Sequence, residues 1–199
     1  MVNIDIDTIK RLRELTGVGM TDAKKALIDV DGDFDKALEA MRVKGLAKAD
    51  KRSEREARSG IIDSYVHSDR IGVLVEVNCE TDFVARNQQF KDFVHNLTLH
   101  IAASAPLYVS IEDVPEELVA KEKQLIKEEL KSSNKPESMQ AKIIEGKIVK
   151  FYDQICLLNQ PYIKNPDQTV GDYIKENIAK LGENIVLRRF SRLALGEVN

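Results

Sequence analysis

Between Ile71 and Cys79 the side chains alternate with period two. Ile71, Val73, Val75, Val77 and Cys79 share one face, and Gly72, Leu74, Glu76 and Asn78 the other. That pattern is a strand with one face in a core. From Phe90 the period changes, because Phe90, Phe93, Val94, Leu97 and Ile101 recur at helical spacing, and an amphipathic helix follows. The connection between them, Thr81-Asp82-Phe83-Val84-Ala85-Arg86-Asn87, holds an aromatic and a carboxylate side by side. Asn87 is a good helix cap, and Asp82 is a candidate local cap or turn acceptor that leaves the Phe beside it exposed. The helical stripe is complete without Phe83 or Val84. From these residues alone, Phe83 is either a plug for the chain's own core or a wedge for another protein.

A partner for the strand precedes it. Ser59 to Val66 reads as a second strand, joined through a polar turn at His67-Ser68-Asp69. Upstream, three short helices are expected. Ile6, Ile9, Leu12 and Leu15 stripe the first, with Asp5 or Asp7 at its cap and Gly17 and Gly19 as its stop. Thr21 caps the second, which carries Ala23, Ala26, Leu27 and Val30 and ends at Asp31-Gly32. Asp33 or Asp35 opens the third, with Phe34, Ala37, Leu38 and Met41 inward and Gly45 past its end. From Arg42 to Arg58 run seven basic and three acidic residues. This stretch reads as a charged linker helix, with a domain boundary near Lys51. The expected fold class is therefore α+β. A small three-helix module occupies 1–51 and a core of a small antiparallel sheet packed with several helices occupies 52–199.

In the C-terminal half a helix opens at Pro115-Glu116-Glu117 and runs to about Lys131. Ser132-Ser133-Asn134-Lys135-Pro136 is a turn, and Glu137 to Leu158 is helical again. The short connection makes the two antiparallel neighbours. A loop runs from Asn159 through Pro166, and Thr169 caps a helix stopped by Gly182. Asn184 to Leu195 is strand-like and joins the hairpin as a third strand. Its Arg188, Arg189 and Arg192 defend a sheet edge or meet a partner.

Several chemistries are excluded. Gly17-Val18-Gly19 has no strand before it and no third Gly, so it is no dinucleotide loop. The acidic cluster at Asp29, Asp31 and Asp33 lacks the Gly and Glu that a calcium loop needs at its sixth and twelfth positions. His95 and His100 stand five apart, wrong for two ligands on one helical face, and His100 reads as a surface or partner-facing residue. Cys79 and Cys156 make no metal or redox spacing and read as small buried hydrophobes in a reducing compartment. A net charge of −3 argues against binding nucleic acid. No apolar run approaches the ~18 residues of a membrane span. The acidic start lacks the order of a secretory signal, so the cytoplasm is the expected location. No nucleophile elbow, phosphate loop or zinc motif is present, so a non-enzymatic protein that binds proteins and needs no cofactor is expected.

Five blocks carry a resemblance. Leu12-Arg13-Glu14-Leu15-Thr16-Gly17-Val18-Gly19-Met20-Thr21-Asp22-Ala23-Lys24-Lys25-Ala26-Leu27 resembles the N-terminal signature of the translation elongation factor Ts family. So does Val75-Glu76-Val77-Asn78-Cys79-Glu80 running into Thr81 to Asn87. His100-Ile101-Ala102-Ala103, Gln160-Pro161-Tyr162-Ile163 and Gly182-Glu183-Asn184-Ile185-Val186-Leu187-Arg188-Arg189 follow in family order. The resemblance implies a guanine-nucleotide exchange factor for elongation factor Tu, acting without covalent chemistry. It implies a ubiquitin-associated-like N-terminal module that docks on Tu, with Arg13 and Met20 at that contact. It implies that Thr81, Asp82, Phe83 and Val84 dislodge Mg²⁺ from Tu, with Phe83 as the wedge, and that His100 touches a second region. The chain is similar to short family members with one core half, which implies a homodimer with the C-terminal helices and last strand at or near the interface. An adaptor that dimerises and binds without accelerating nucleotide release is the alternative.

Overall fold

In the computed structural model, residues 4–131 and 136–197 are described. Helices α1 (Ile6–Thr16), α2 (Met20–Asp29) and α3 (Phe34–Asp50) come first. Ile9, Leu12, Ala23, Ala26, Leu27, Ala37 and Met41 form their shared core, flanked by Ile4, Val18, Val30, Phe34 and Leu38. The Arg11 guanidinium lies 4.6 Å over the Phe34 ring, a cation–π contact that closes one side. Of the four-residue stripe on α1 only Ile9 and Leu12 are buried, whereas Ile6 and Leu15 are exposed. Each three-residue step falls about 60° short of a full turn, so a stripe of that spacing drifts off the core at both ends.

Gly17 ends α1 at φ +68°, its N–H donating to Arg13 O at 2.8 Å, a left-handed stop open to glycine. Gly19, not Thr21, occupies the cap position of α2, because that helix already begins at Met20. Asp33 caps α3 by accepting from Lys36 N–H. Gly45 does not end α3, which runs on to Asp50. A Cβ at Gly45 would stand 3.3 Å from the Ala179 side chain, so this glycine serves a close helix approach rather than a stop. The charged stretch is thus helical as the continuation of α3 and gives way to turns after Asp50.

Strands β1 (Ser59–His67) and β2 (Ile71–Cys79) follow, with Ser68 and Asp69 both at positive φ (49° and 56°). Two left-handed residues in succession make a tight hairpin whose twist suits its strands. After α4 (Asp82–Ala85) and α5 (Gln88–Ser104) come α6 (Glu116–Lys131), α7 (Glu137–Ile155), β3 (Pro161–Tyr162), β4 (Asn165–Thr169), α8 (Val170–Leu181) and β5 (Ile185–Ala194). The antiparallel sheet has the order β1-β2-β5, so the last strand joins the hairpin as the third. On β2, Val73, Val75, Val77 and Cys79 are buried, and on α5 so are Phe90, Phe93, Val94, Leu97 and Ile101.

The chain divides into two compact units. The first comprises residues 1–63, 75–96 and 172–188, and the second residues 64–74, 97–171 and 189–199. In the first, α8 is tied to α3 by ion pairs from Arg42 to Glu176 (3.0 Å) and from Lys175 to Asp50 (2.8 Å). In the second, α6 and α7 pack through Ile126, Leu130 and Ile148 with Ile143, Ile144 and Tyr152 beside them. The expected turn at 132–135 lies outside the described residues. α7 stops at Ile155, a short turn covers Leu157–Asn159, and the expected loop beyond it contains the small β3–β4 hairpin. Cys79 and Cys156 are free and buried, and burial pushes each thiol up to about 11.

Candidate partner-binding site

The alternation of β2 ends at Cys79, and α4 begins three residues later. Thr81 makes that abrupt start possible. Its backbone stays extended (φ −126°, ψ 156°) and its hydroxyl accepts from Val84 N–H at 3.4 Å, so Thr81 and not Asp82 is the cap. Asp82 lies inside the turn, largely exposed, and pairs with Arg86 at 3.1 Å; such a pair contributes a few tenths of a kcal/mol, about the value of i,i+4 pairs. Asn87 then caps α5, its side-chain oxygen accepting from Gln89 N–H at 2.9 Å.

Four consecutive residues divide between two environments. Val84 and Ala85 are buried and Asp82 faces water. Phe83 is 81% exposed. With the neighbours on its C-terminal side anchored, the ring is held out from the surface on a defined turn. An exposed Phe leaves about 1.5–3 kcal/mol of burial energy unrealised, available to any surface that covers it.

The turn is gripped from the far end of the chain. Glu183 accepts from Thr81 N–H at 3.0 Å and from the Thr81 hydroxyl at 2.6 Å. Glu80 accepts from Asn184 N–H at 2.6 Å, and the Asn184 amide donates to the carbonyls of Ser53 (3.2 Å) and Arg55 (2.6 Å). From beneath, the Cys79 thiol donates to Thr81 O at 3.2 Å. Glu80, Glu183 and Asn184 were not singled out by residue type or spacing. Glu80 precedes Thr81 directly, and only the adjacency of the last strand to β2 brings Glu183 and Asn184 to the pair.

Arg13 and Met20 stand at the corner where α1 gives way to α2. Arg13 is exposed and Met20 is 41% exposed, with exposed Leu15 between them in sequence.

The surface reading of His100 is overturned. His100 is fully buried, because it lies seven residues from Phe93 and three from Leu97 on the same helical face. Its Nδ1 accepts from Ile163 N–H at 3.2 Å, so the ring proton sits on Nε2 and is donated to Gln160 Oε1 at 3.0 Å. Gln160 in turn donates to Gln154 O at 2.7 Å. Burial pushes the imidazole below its usual value, the Gln160 hydrogen bond opposing it. Both nitrogens are therefore used inside the chain. Among the described residues no three His, Cys, Asp or Glu side chains are grouped to hold a metal ion.

The family model described as elongation factor TS matches residues 7–177. Elongation factor Ts of Moorella thermoacetica is 55% identical over 190 residues, covering 95% of this chain and 94% of that protein. This chain belongs to the elongation factor Ts family. Elongation factor Ts of Alkaliphilus oremlandii is 53% identical over 98% of this chain and 91% of its own length. That of Desulfosudis oleivorans is 50% identical over 99% and 100%. The chain's role is that of a translation elongation factor. No helix among the described residues is long and apolar enough to cross a membrane.

Proposed function

We propose that this chain is a guanine-nucleotide exchange factor for elongation factor Tu, using the Thr81–Val84 turn to dislodge Mg²⁺ and promote GDP release. The observation that carries this reading is the exposed Phe83 on a capped, anchored turn. A bound nucleotide is held by Mg²⁺ and by backbone amides around its phosphates, so shifting either weakens binding without contacting the base. Each tenfold weakening needs about 1.4 kcal/mol of preference for the emptied state. Burying one aromatic ring supplies about that much. Coupling is reciprocal, so GDP must loosen the factor by the same ratio. No covalent step and no cofactor enter.

The N-terminal module, 1–51, docks on Tu through Arg13 and Met20, and 52–199 forms the core and dimerisation domain. His100 acts through the Pro161–Ile163 segment that it hydrogen-bonds. Two copies pair through the sheet face carrying Val66, Leu74, Leu193 and Leu195, which are 53–69% exposed; contiguous exposed apolar area of this kind marks association sites. Val66, Leu193 and Leu195 line one hollow whose lining also includes the charged Asp69 and Arg70, which gives such a face relief. Neither nucleic acid nor membrane is a partner, and the cytoplasm is the matching location.

Stopped-flow release of a fluorescent GDP from Tu tests the reading. The chain is expected to accelerate release, and Phe83→Ala to lose about tenfold of that acceleration, the worth of one buried aromatic contact. An unchanged release rate with the wild-type chain would leave an adaptor without exchange activity. Acceleration that survives Phe83→Ala intact would remove the wedge.

A further inference from the structure

A helix of four residues does not hold itself, since isolated helices under about 12 residues are marginal in water. The geometry of α4 must be imposed by its surroundings. Its cap bond from Val84 N–H to the Thr81 hydroxyl is long, at 3.4 Å. The contacts from the Thr81 hydroxyl and N–H to Glu183, at 2.6 and 3.0 Å, are shorter. One carboxylate takes both donors of the capping residue, a fork that fixes its orientation as well as its position.

Glu183 is itself well braced. Before it, Gly182 turns the chain out of α8 at φ +81°. After it, Asn184 is buried, its N–H donating to Glu80 and its amide to the Ser53 and Arg55 carbonyls. Flanked in this way, the carboxylate reaches Thr81 from a fixed backbone. With Thr81 N–H and hydroxyl both occupied, the hydroxyl lone pairs are directed at Val84 N–H and the turn is set.

We propose that Glu183 is the positioning residue of the wedge: its carboxylate grips Thr81 and presets α4 so that Phe83 stands out from the surface before any partner arrives. The proposal rests on reading Phe83 as the wedge. Preset geometry spares association the cost of ordering the turn. Without the carboxylate Thr81 regains side-chain freedom, the weak cap is lost, and Phe83 samples positions that cannot insert.

The test compares factor-stimulated GDP release from elongation factor Tu with amide hydrogen exchange of the free factor. Glu183→Ala removes both hydrogen bonds to Thr81 and is expected to slow stimulated release by up to about tenfold, the worth of the ring through which it acts. It is also expected to speed exchange across Thr81–Ala85 while Val75 and Val77 keep their protection. Glu183→Gln, which retains neutral hydrogen bonding, falls between, and Thr81→Val, which removes only the hydroxyl, loses part of the rate. The double variant Glu183→Ala with Phe83→Ala releases no more slowly than Phe83→Ala alone, because the carboxylate works only through the ring. Wild-type release with Glu183→Ala overturns the proposal. So does slowed release without faster exchange at the turn, or a double variant slower than Phe83→Ala, which would make Glu183 a direct contact. Failure of the wedge itself appears separately, as Phe83→Ala matching wild type; the exchange comparison then still decides whether Glu183 holds the turn.

Discussion

His100 links one side chain's burial to a measurable pH dependence. Folding holds its pKa below the ordinary value near 6.5, chiefly because burial disfavours the charged ring. Between those two values the unfolded chain carries a proton that the folded chain refuses. The stability that His100 contributes is therefore complete above about pH 6.5 and is lost as pH falls from there toward the folded value. Protonation would also set a ring N–H against the Ile163 N–H it now accepts from. His100→Asn is expected to flatten the fall in denaturant midpoint between about pH 7.5 and 5.5 relative to wild type. An equal fall in both proteins would show that other groups govern it. The burial was legible in the seven-residue spacing from Phe93 and the three-residue spacing from Leu97, which outweigh the five-residue spacing from His95. Phe83's exposure was only half legible, since Phe90, Phe93, Leu97 and Ile101 complete the stripe without it but leave a core plug and a wedge both open, and the family resemblance supplied the rest. Glu183 was not, because it bonds Thr81 across 102 residues, and no local pattern reports a contact of that range.

Among the elements, the corner from α1 into α2 depends on a single residue. Gly17 combines positive φ with a tight approach, since an added Cβ would lie 2.9 Å from the Lys180 Cα. Gly17→Ala is expected to cost about 2 kcal/mol or more, the left-handed penalty plus displacement of α8 backbone, read as a lower urea midpoint. Gly19→Ala is the control, because its Cβ would meet nothing within 4 Å; a midpoint equal to that of Gly17→Ala would refute the account. Helices α1 to α3 and the hairpin were readable because each is long enough to show a period, whereas the last strand read only as a strand-like run, its alternation broken by Arg188, Arg189 and Arg192. Gly45 misled because glycine marks either a stop or a close approach, and only Ala179 opposite it tells which. The four residues of α4 and the two of β3 are too short for a period to repeat, so caps and partners elsewhere in the chain define them.

For the whole molecule, the family and the α+β class were readable because blocks spread from Leu12 to Arg189 occur together in order. The sheet face bearing Val66, Leu74, Leu193 and Leu195 leads to a prediction about assembly. Leu193 is 63% exposed, so Leu193→Glu costs a lone copy little, whereas in a pair it places a charge in an apolar contact. Light scattering at micromolar protein is expected to give a dimer mass for wild type and a monomer mass for Leu193→Glu. A wild-type monomer would refute the pairing. Phe83 closes the account differently. Its ring contributes almost nothing to its own chain's core, so substitutions at that position are nearly invisible to folding and fully visible to whatever surface receives the ring. Selection can therefore tune how well this ring fits a covering surface one side chain at a time, with the scaffold's stability held apart as a separate trait.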